Sequence, residues 1–193
     1  MILLSLINQE KNKLTKHINI PPGRNLLKYL VVQSSFFCLG RAFQSASLFD
    51  KDLQKEISAW DNLFTIMLKV HPHGPCLILQ KINNKIRFIG LDEKYANRET
   101  IDLTMVIKNI ASAYMLMTMQ VGNSQAAVEH RFSMVKGDTI QMMRYTRCLN
   151  IIVSYLLPSF VARKIIRKLP KMTLRKHMNR FLIYTFGLVF GIK

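Results

Sequence analysis

"AVEHRFSMVKGDTIQMM", residues 127–143, carries two periodicities joined by a turn. Val128, His130, Phe132 and Met134 alternate with Glu129, Arg131 and Ser133, the period of two that marks a half-buried strand. Lys136-Gly137-Asp138 ends the alternation. Glycine supplies a positive-φ turn, and Asp138 is placed to cap a helix beginning just after it. A long helical pattern then runs to Pro158. The stretch predicts a strand over 130–136 feeding directly into a helix.

Upstream the same signals recur. "IDLTMVIK" (101–108) alternates as a strand, and Asn109 is a candidate N-cap for a helix over 109–122 that closes at Gly122. "LFTIMLKV" (63–70), "CLILQKI" (76–82) and "KIRFIG" (85–90) alternate as well. The turn "HPHGP" separates the first two, and Asn83-Asn84 makes a tight hairpin between the others. Before them a helix starts at Asn25 and runs through "NLLKYLVVQSSFFCLGRAF". A second, "SLFDKDLQKEISAW", spaces Leu53, Ile57 and Trp60 helically behind Asp50 or Asp52. Residues 1–19 read as a short helix, broken by "NIPPG" at 19–23. Strand runs with segregated helices predict an α+β fold whose five-stranded sheet is largely antiparallel and covered by helices.

The chain has 193 residues, enough for one well-buried core, and is 49% apolar, which excludes a disordered protein. Its net charge is +17. Residues 131–193 hold thirteen Lys/Arg against one acid, Asp138, whereas 51–130 hold nine against eight. The predicted organisation is an N-terminal helical extension (1–49), a middle domain (50–158) and a basic amphipathic C-terminal region (159–193). Such charge attracts polyanions: an anionic membrane, nucleic acid or an acidic protein.

Cys38, Cys76 and Cys148 are odd in number and far apart, so buried reduced thiols are expected in a reducing cytoplasm. "MILLSLI" lacks the flanks of a signal peptide. The late apolar run "FLIYTFGLVFGI" (181–192) has twelve residues where a spanning helix needs about twenty. A cytoplasmic protein, peripheral to a membrane, is expected.

"IDLTMVIKN", a helix ending in glycine, and "QAAVEHRFSMVKGDTIQMMRY" together resemble the sterol carrier protein family of the type-two, non-specific lipid-transfer kind. Asp102, Thr104, Gly122, Gly137 and Asp138 occupy the places of its motif. The resemblance covers roughly residues 50–158. It implies a five-stranded sheet covered by helices, an apolar tunnel for a sterol, isoprenoid, fatty acyl chain or phospholipid, and carriage without chemistry. The flanking regions are additions to that domain and inherit no role from it.

Methionine is unbranched and polarizable and suits adaptable apolar walls. Met105, Met115, Met119, Met134, Met142 and Met143 fall on the elements that the resemblance places around the cavity, and are the expected lipid-contacting residues. They would equally fill an ordinary core. Helical period puts Met115 and Met119 on one face.

No catalytic group, metal site or cofactor is indicated. His71 and His73 flank Pro72 in a turn, without a nearby carboxylate, and His130 alternates with core residues. Nucleophile elbow, HExxH and Gly-rich phosphate loop are missing from the sequence.

The last third is more informative. Arg163, Lys164, Arg167 and Lys168 recur on one helix face between Ile165, Ile166 and Leu169. Lys171, Arg175 and Lys176 extend the charge, and Phe181, Tyr184 and Phe186 come after them. This basic amphipathic pattern predicts attachment to an anionic membrane surface, each cation contributing about 1 kcal/mol. A last helix packed on the domain is the competing arrangement. Nucleic acid is the less favoured polyanion, because aliphatics interleave the charges and no recognition motif appears. A hydrophobic lipid ligand, an anionic bilayer and a membrane-bound biosynthetic enzyme are the expected partners. A basic nucleic-acid- or protein-binding module is the alternative.

Overall fold

The computed structural model describes residues 26–95, 98–121, 129, 131–158, 162 and 174–187, with only the backbone at 98, 174, 175, 186 and 187. The alternating segments build five strands: β1 (Thr65–Val70), β2 (Cys76–Ile82), β3 (Lys85–Gly90), β4 (Leu103–Ile107) and β5 (Phe132–Lys136), in the order β3-β2-β1-β4-β5. Three pairings are antiparallel, as expected. The pairing of β1 with β4 is parallel, Ile66 beside Leu103 through Val70 beside Ile107. The chain leaves β3 at one edge and returns through 91–102 to the far side of β1. Asp102 fastens this crossover, its carboxylate accepting the Thr65 N–H (2.8 Å) while its own N–H donates to Thr65 O (3.0 Å).

Among the described residues five α-helices accompany the sheet: α1 (Leu26–Phe49), α2 (Lys51–Ser58), α3 (Ile110–Met117), α4 (Thr139–Leu156) and α5 (Leu174–Leu182), the last continuing into a π-helical turn, Ile183–Gly187. Side-chain caps set three of the starts. Asp50 accepts the Leu53 N–H and Asn109 the Ser112 N–H, each at 2.8 Å. Asp138 forms a capping box with Gln141. Gly137, at φ +117°, lets β5 turn beside Leu103, where an added Cβ would lie 2.6 Å from Leu103 Cδ1.

Two helix boundaries differ from the sequence reading. α1 is continuous to Phe49, because the break comes only at the capping residue Asp50. α3 stops at Met117, five residues before Gly122. A Schellman pair closes it: Met119 N–H donates to Leu116 O (3.2 Å) and Gln120 N–H to Met115 O (2.9 Å), with Met119 at φ +62°. Met115 and Met119 therefore do not share a helix face.

The main core lies on one face of the sheet. Ile66, Leu68, Leu79, Leu103, Met105 and Ile107 meet Phe36 and Phe43 of α1, Leu53 and Ile57 of α2, and Tyr145 and Ile152 of α4. Val32, Phe36, Leu39 and Phe43 recur at helical spacing and are buried, so α1 belongs to this core and does not stand apart from residues 50–158. Burial of each such side chain is worth about 1.5–3 kcal/mol. Gly40 permits the contact: a Cβ there would lie 2.5 Å from Phe88 Cδ2. On the same helix Gln44 Oε1 accepts the Phe88 N–H (3.3 Å) and Ser47 Oγ the Ile86 N–H (3.0 Å). α1 thus satisfies donors along the free edge of β3 that would otherwise invite strand pairing. A smaller cluster, Met67, Cys76, Ile78 and Ile101, fills the opposite face.

α5 packs on this assembly. Asn179 Nδ2 donates to Phe49 O (3.3 Å), Lys176 pairs with Asp52 (2.6 Å), and Ile183 is fully buried in the main core. The helix expected over 1–19, the break at 21–22, Gly122 and His130 lie outside the described residues.

Candidate functional site

The six methionines do not form one lining. Met105 on β4 sits beside Met134 on β5 in the sheet register. Met105 has no exposure, and Met115, Met134 and Met142 are partly buried against the same apolar cluster. The Arg131 guanidinium lies 3.1 Å from Met115 Sδ. Met119 is carried onto the turn after α3 by its left-handed backbone, and Met143 is 57% exposed. Met142 and Met143 border an open cleft of about 370 Å³ with Thr146 and Arg147, the latter paired to Glu56 (3.0 Å). Of the six methionines, only Met142 both packs on the core and borders this opening.

Two larger clefts escaped the sequence reading, and neither is lined by a methionine. The first, about 710 Å³, lies between the start of α1 (Tyr29, Gln33, Phe37) and the 72–75 turn, with Asp92 and Glu93 on its wall. Its polar wall includes the Lys69–Glu93 ion pair. Burial, with Asp92 and then Cys76 nearby, pushes the Tyr29 phenol above its usual range.

The second cleft, about 560 Å³, lies between α1 and the β2–β3 hairpin. Leu48, Ile82, Ile86 and Phe88 supply its apolar surface, and Arg41, Lys85 and Arg87 its charge. The Arg41 guanidinium carbon lies 5.4 Å from the Phe37 ring centre and 5.7 Å from that of Phe88, while the two rings meet edge to face at 5.9 Å. Cation–π attraction holds the guanidinium there. These residues come from chain segments about forty residues apart, and neither segment carries a motif. Only the docking of α1 on the hairpin makes the cleft.

Of the expected membrane-facing residues, Arg163, Lys164, Arg167, Lys168 and Lys171 lie outside the described residues, and the side chains of Arg175 and Phe186 are not described. Lys176 is tied to Asp52 and mostly covered. Tyr184 donates its hydroxyl to Leu156 O, with the Arg180 guanidinium 6.0 Å from its ring centre. Phe181 and Met178 are each 66% exposed. α5 and the π-helical turn after it therefore turn Asn179 and Ile183 inward and leave an apolar pair outside, among Arg180 and the exposed His177.

Cys76 and Cys148 are buried, and burial first of all pushes each thiol up to about 12. Cys38, expected to be buried, is exposed, because it lies on the outer face of α1 with Leu27, Leu30 and Ser34. His71 and His73 are exposed in the turn after β1. Among the described residues no group of three His, Cys, Asp or Glu could hold one metal ion. No helix among them is long and apolar enough to cross a membrane.

No protein-family model matches the sequence, and no curated protein matches it significantly. Three solved structures are similar to it. One is a conserved hypothetical protein of Thermus thermophilus, a possible sterol carrier, at 16% identity and a TM-score of 0.45, covering 68% of this chain and 86% of that one. The UbiJ-SCP2 ubiquinone synthesis protein is similar at 12% identity and a TM-score of 0.42, over 63% and 95% of the two chains. Sterol carrier protein-2 like-3 of Aedes aegypti is similar at 12% identity and a TM-score of 0.31, over 52% and 92%.

Proposed function

We propose that the protein binds a hydrophobic lipid without chemistry of its own and presents it at an anionic membrane surface, to a membrane-bound biosynthetic enzyme. The observation that carries this reading is Met142, packed against the core and bordering an open cleft together with Met143. A soft side chain at that position can move aside and admit an aliphatic chain toward Met105, Met115 and Met134. Met119, on the turn after α3, is assigned a secondary contact with the chain. The motif residues of 101–138, in the order that the sterol carrier family uses, support the same role. Docking falls to Phe181 and Met178 on α5 and to the cations of 163–180, which an anionic leaflet attracts.

Uptake of a fluorescent long-chain alcohol, an uncharged probe, tests the ligand half. The full chain takes up the probe, and Met142→Trp lowers uptake at least about tenfold while the thermal midpoint stays close to that of the parent. Unchanged uptake in a folded Met142→Trp variant removes the methionine region as the entry. Sedimentation with phosphatidylglycerol-containing and pure phosphatidylcholine vesicles tests the membrane half. Binding to the anionic vesicles alone, weakened by Met178→Ser with Phe181→Ser, is the expected outcome. Equal binding by parent and variant excludes α5 as the docking element.

A further inference from the structure

The α1–hairpin cleft carries a separate inference. Its lining contains three cations, Arg41, Lys85 and Arg87, and no carboxylate. Lys85 and Arg87 are exposed and form no salt bridge among the described residues. Arg41 is held between the Phe37 and Phe88 rings, and its buried Nε–H has no acceptor among the described residues. A buried donor without an acceptor is uncommon in a folded protein and points to a missing partner. The rings compensate part of the charge but accept no hydrogen bond in the guanidinium plane. An anionic oxygen would satisfy the donor and relieve the mutual repulsion of three like charges.

The rest of the cleft is of the opposite character. Leu48, Ile82, Ile86 and Phe88 form an apolar wall beside those cations, and about 560 Å³ is within the range of small-molecule sites, roughly 300–1,000 Å³. Positive charge next to an apolar wall is complementary to an anion that carries an aliphatic tail. A free phosphate would leave the wall wet, and a neutral lipid would leave Arg41 unpaired.

We propose that this cleft is a headgroup-selective site for single-chain anionic lipids, with the carboxylate or phosphate on Arg41, Lys85 and Arg87 and the chain against Leu48, Ile82, Ile86 and Phe88. It rests on the lipid-binding role above, but at a cleft distinct from that of Met142 and Met143. Arg41 is the central contact, because the two rings fix its guanidinium before the ligand arrives and the fork can grip two oxygens. The chemistry shared by a fatty acid and an alkyl phosphate is an anionic head on one chain.

Competition against a fluorescent fatty acid, using the full chain at neutral pH, tests this. Dodecanoate and dodecyl phosphate should each compete at least about tenfold more strongly than dodecanol. Inorganic phosphate alone should not compete. Arg41→Gln combined with Arg87→Gln should reduce both anions to the level of dodecanol, whereas Arg41→Lys should lose only part of the preference. Equal competition by the anions and dodecanol in the parent overturns the proposal, as does a preference that survives in the folded double variant. Competition by inorganic phosphate as strong as that by dodecyl phosphate makes this a plain anion site. If no amphiphile binds at all, the lipid-binding role falls together with the site.

Discussion

Tyr155, on α4, donates its hydroxyl to the carboxylate of Asp50, the residue that caps α2. The two are 105 positions apart, and both are buried. One Asp50 oxygen holds the Leu53 N–H at the start of α2, and the other holds the last third of the chain against α1 and α2. Burial, first of all, and the hydrogen bond to Asp50 push the Tyr155 phenol well above its ordinary range.

Removing that hydroxyl leaves a buried carboxylate short of a partner. Tyr155→Phe should lower the unfolding free energy by about 1–3 kcal/mol in urea titrations, because an unsatisfied charged acceptor costs more than a neutral hydrogen bond contributes. A variant with an unchanged midpoint would show that another donor replaces the phenol.

The two faces of the C-terminal helix should separate cleanly. Ile183 is fully buried and Phe181 is two-thirds exposed. Ile183→Ala should cost about 2–5 kcal/mol, whereas Phe181→Ala should stay within about 0.5 kcal/mol. Similar losses in both, measured by thermal and urea unfolding, would show that α5 does not pack as described.

Met119 occupies a left-handed backbone position in the closing turn of α3. A residue with a Cβ there carries a strain of roughly 1 kcal/mol that glycine avoids. Met119→Gly should therefore stabilise the protein by about 0.5–1 kcal/mol, and Met119→Ala should not. Calorimetric midpoints of the two variants decide it.

The thiols make a prediction in pH. Cys76 and Cys148 stay protonated in the folded protein up to about 12, against an ordinary value of 9.0. The folded state then binds more protons than the unfolded state between those limits. Their contribution is complete below about pH 9 and is lost as pH rises toward about 12. Stability should fall across that window, and less steeply in Cys148→Ala. At about pH 8 a thiol reagent should modify Cys38 alone in the native protein and all three thiols only after denaturation.

Sequence periodicity alone located all five strands, since alternation and turn chemistry act within a few residues. It likewise found the caps Asn109 and Asp138, whose hydrogen bonds reach only to the next turn. The end of α3 is not legible, because Gly122 has the chemistry of a terminator, whereas the closing bonds form around Met119, a residue type with no such preference. The clustering of methionines was legible, but which ones are sealed and which border a cleft was not. Met105 and Met143 differ only in what surrounds them.

What the tertiary structure decided are relationships between distant segments. β1 and β4 each bury residues on both faces, so neither pattern names its neighbour, and the parallel pairing comes from the crossover that Asp102 fastens. α1 reads as an apolar helix in an N-terminal helical extension. Its assignment to the core depends on Gly40 fitting against Phe88, and on Gln44 and Ser47 meeting the edge of β3. The cleft around Arg41 arises from that same docking. Backbone hydrogen bonding and helix capping are local, so the chain states them in its own sequence. Burial, edge protection and charge convergence depend on which atoms arrive from elsewhere, and only the folded chain brings them together.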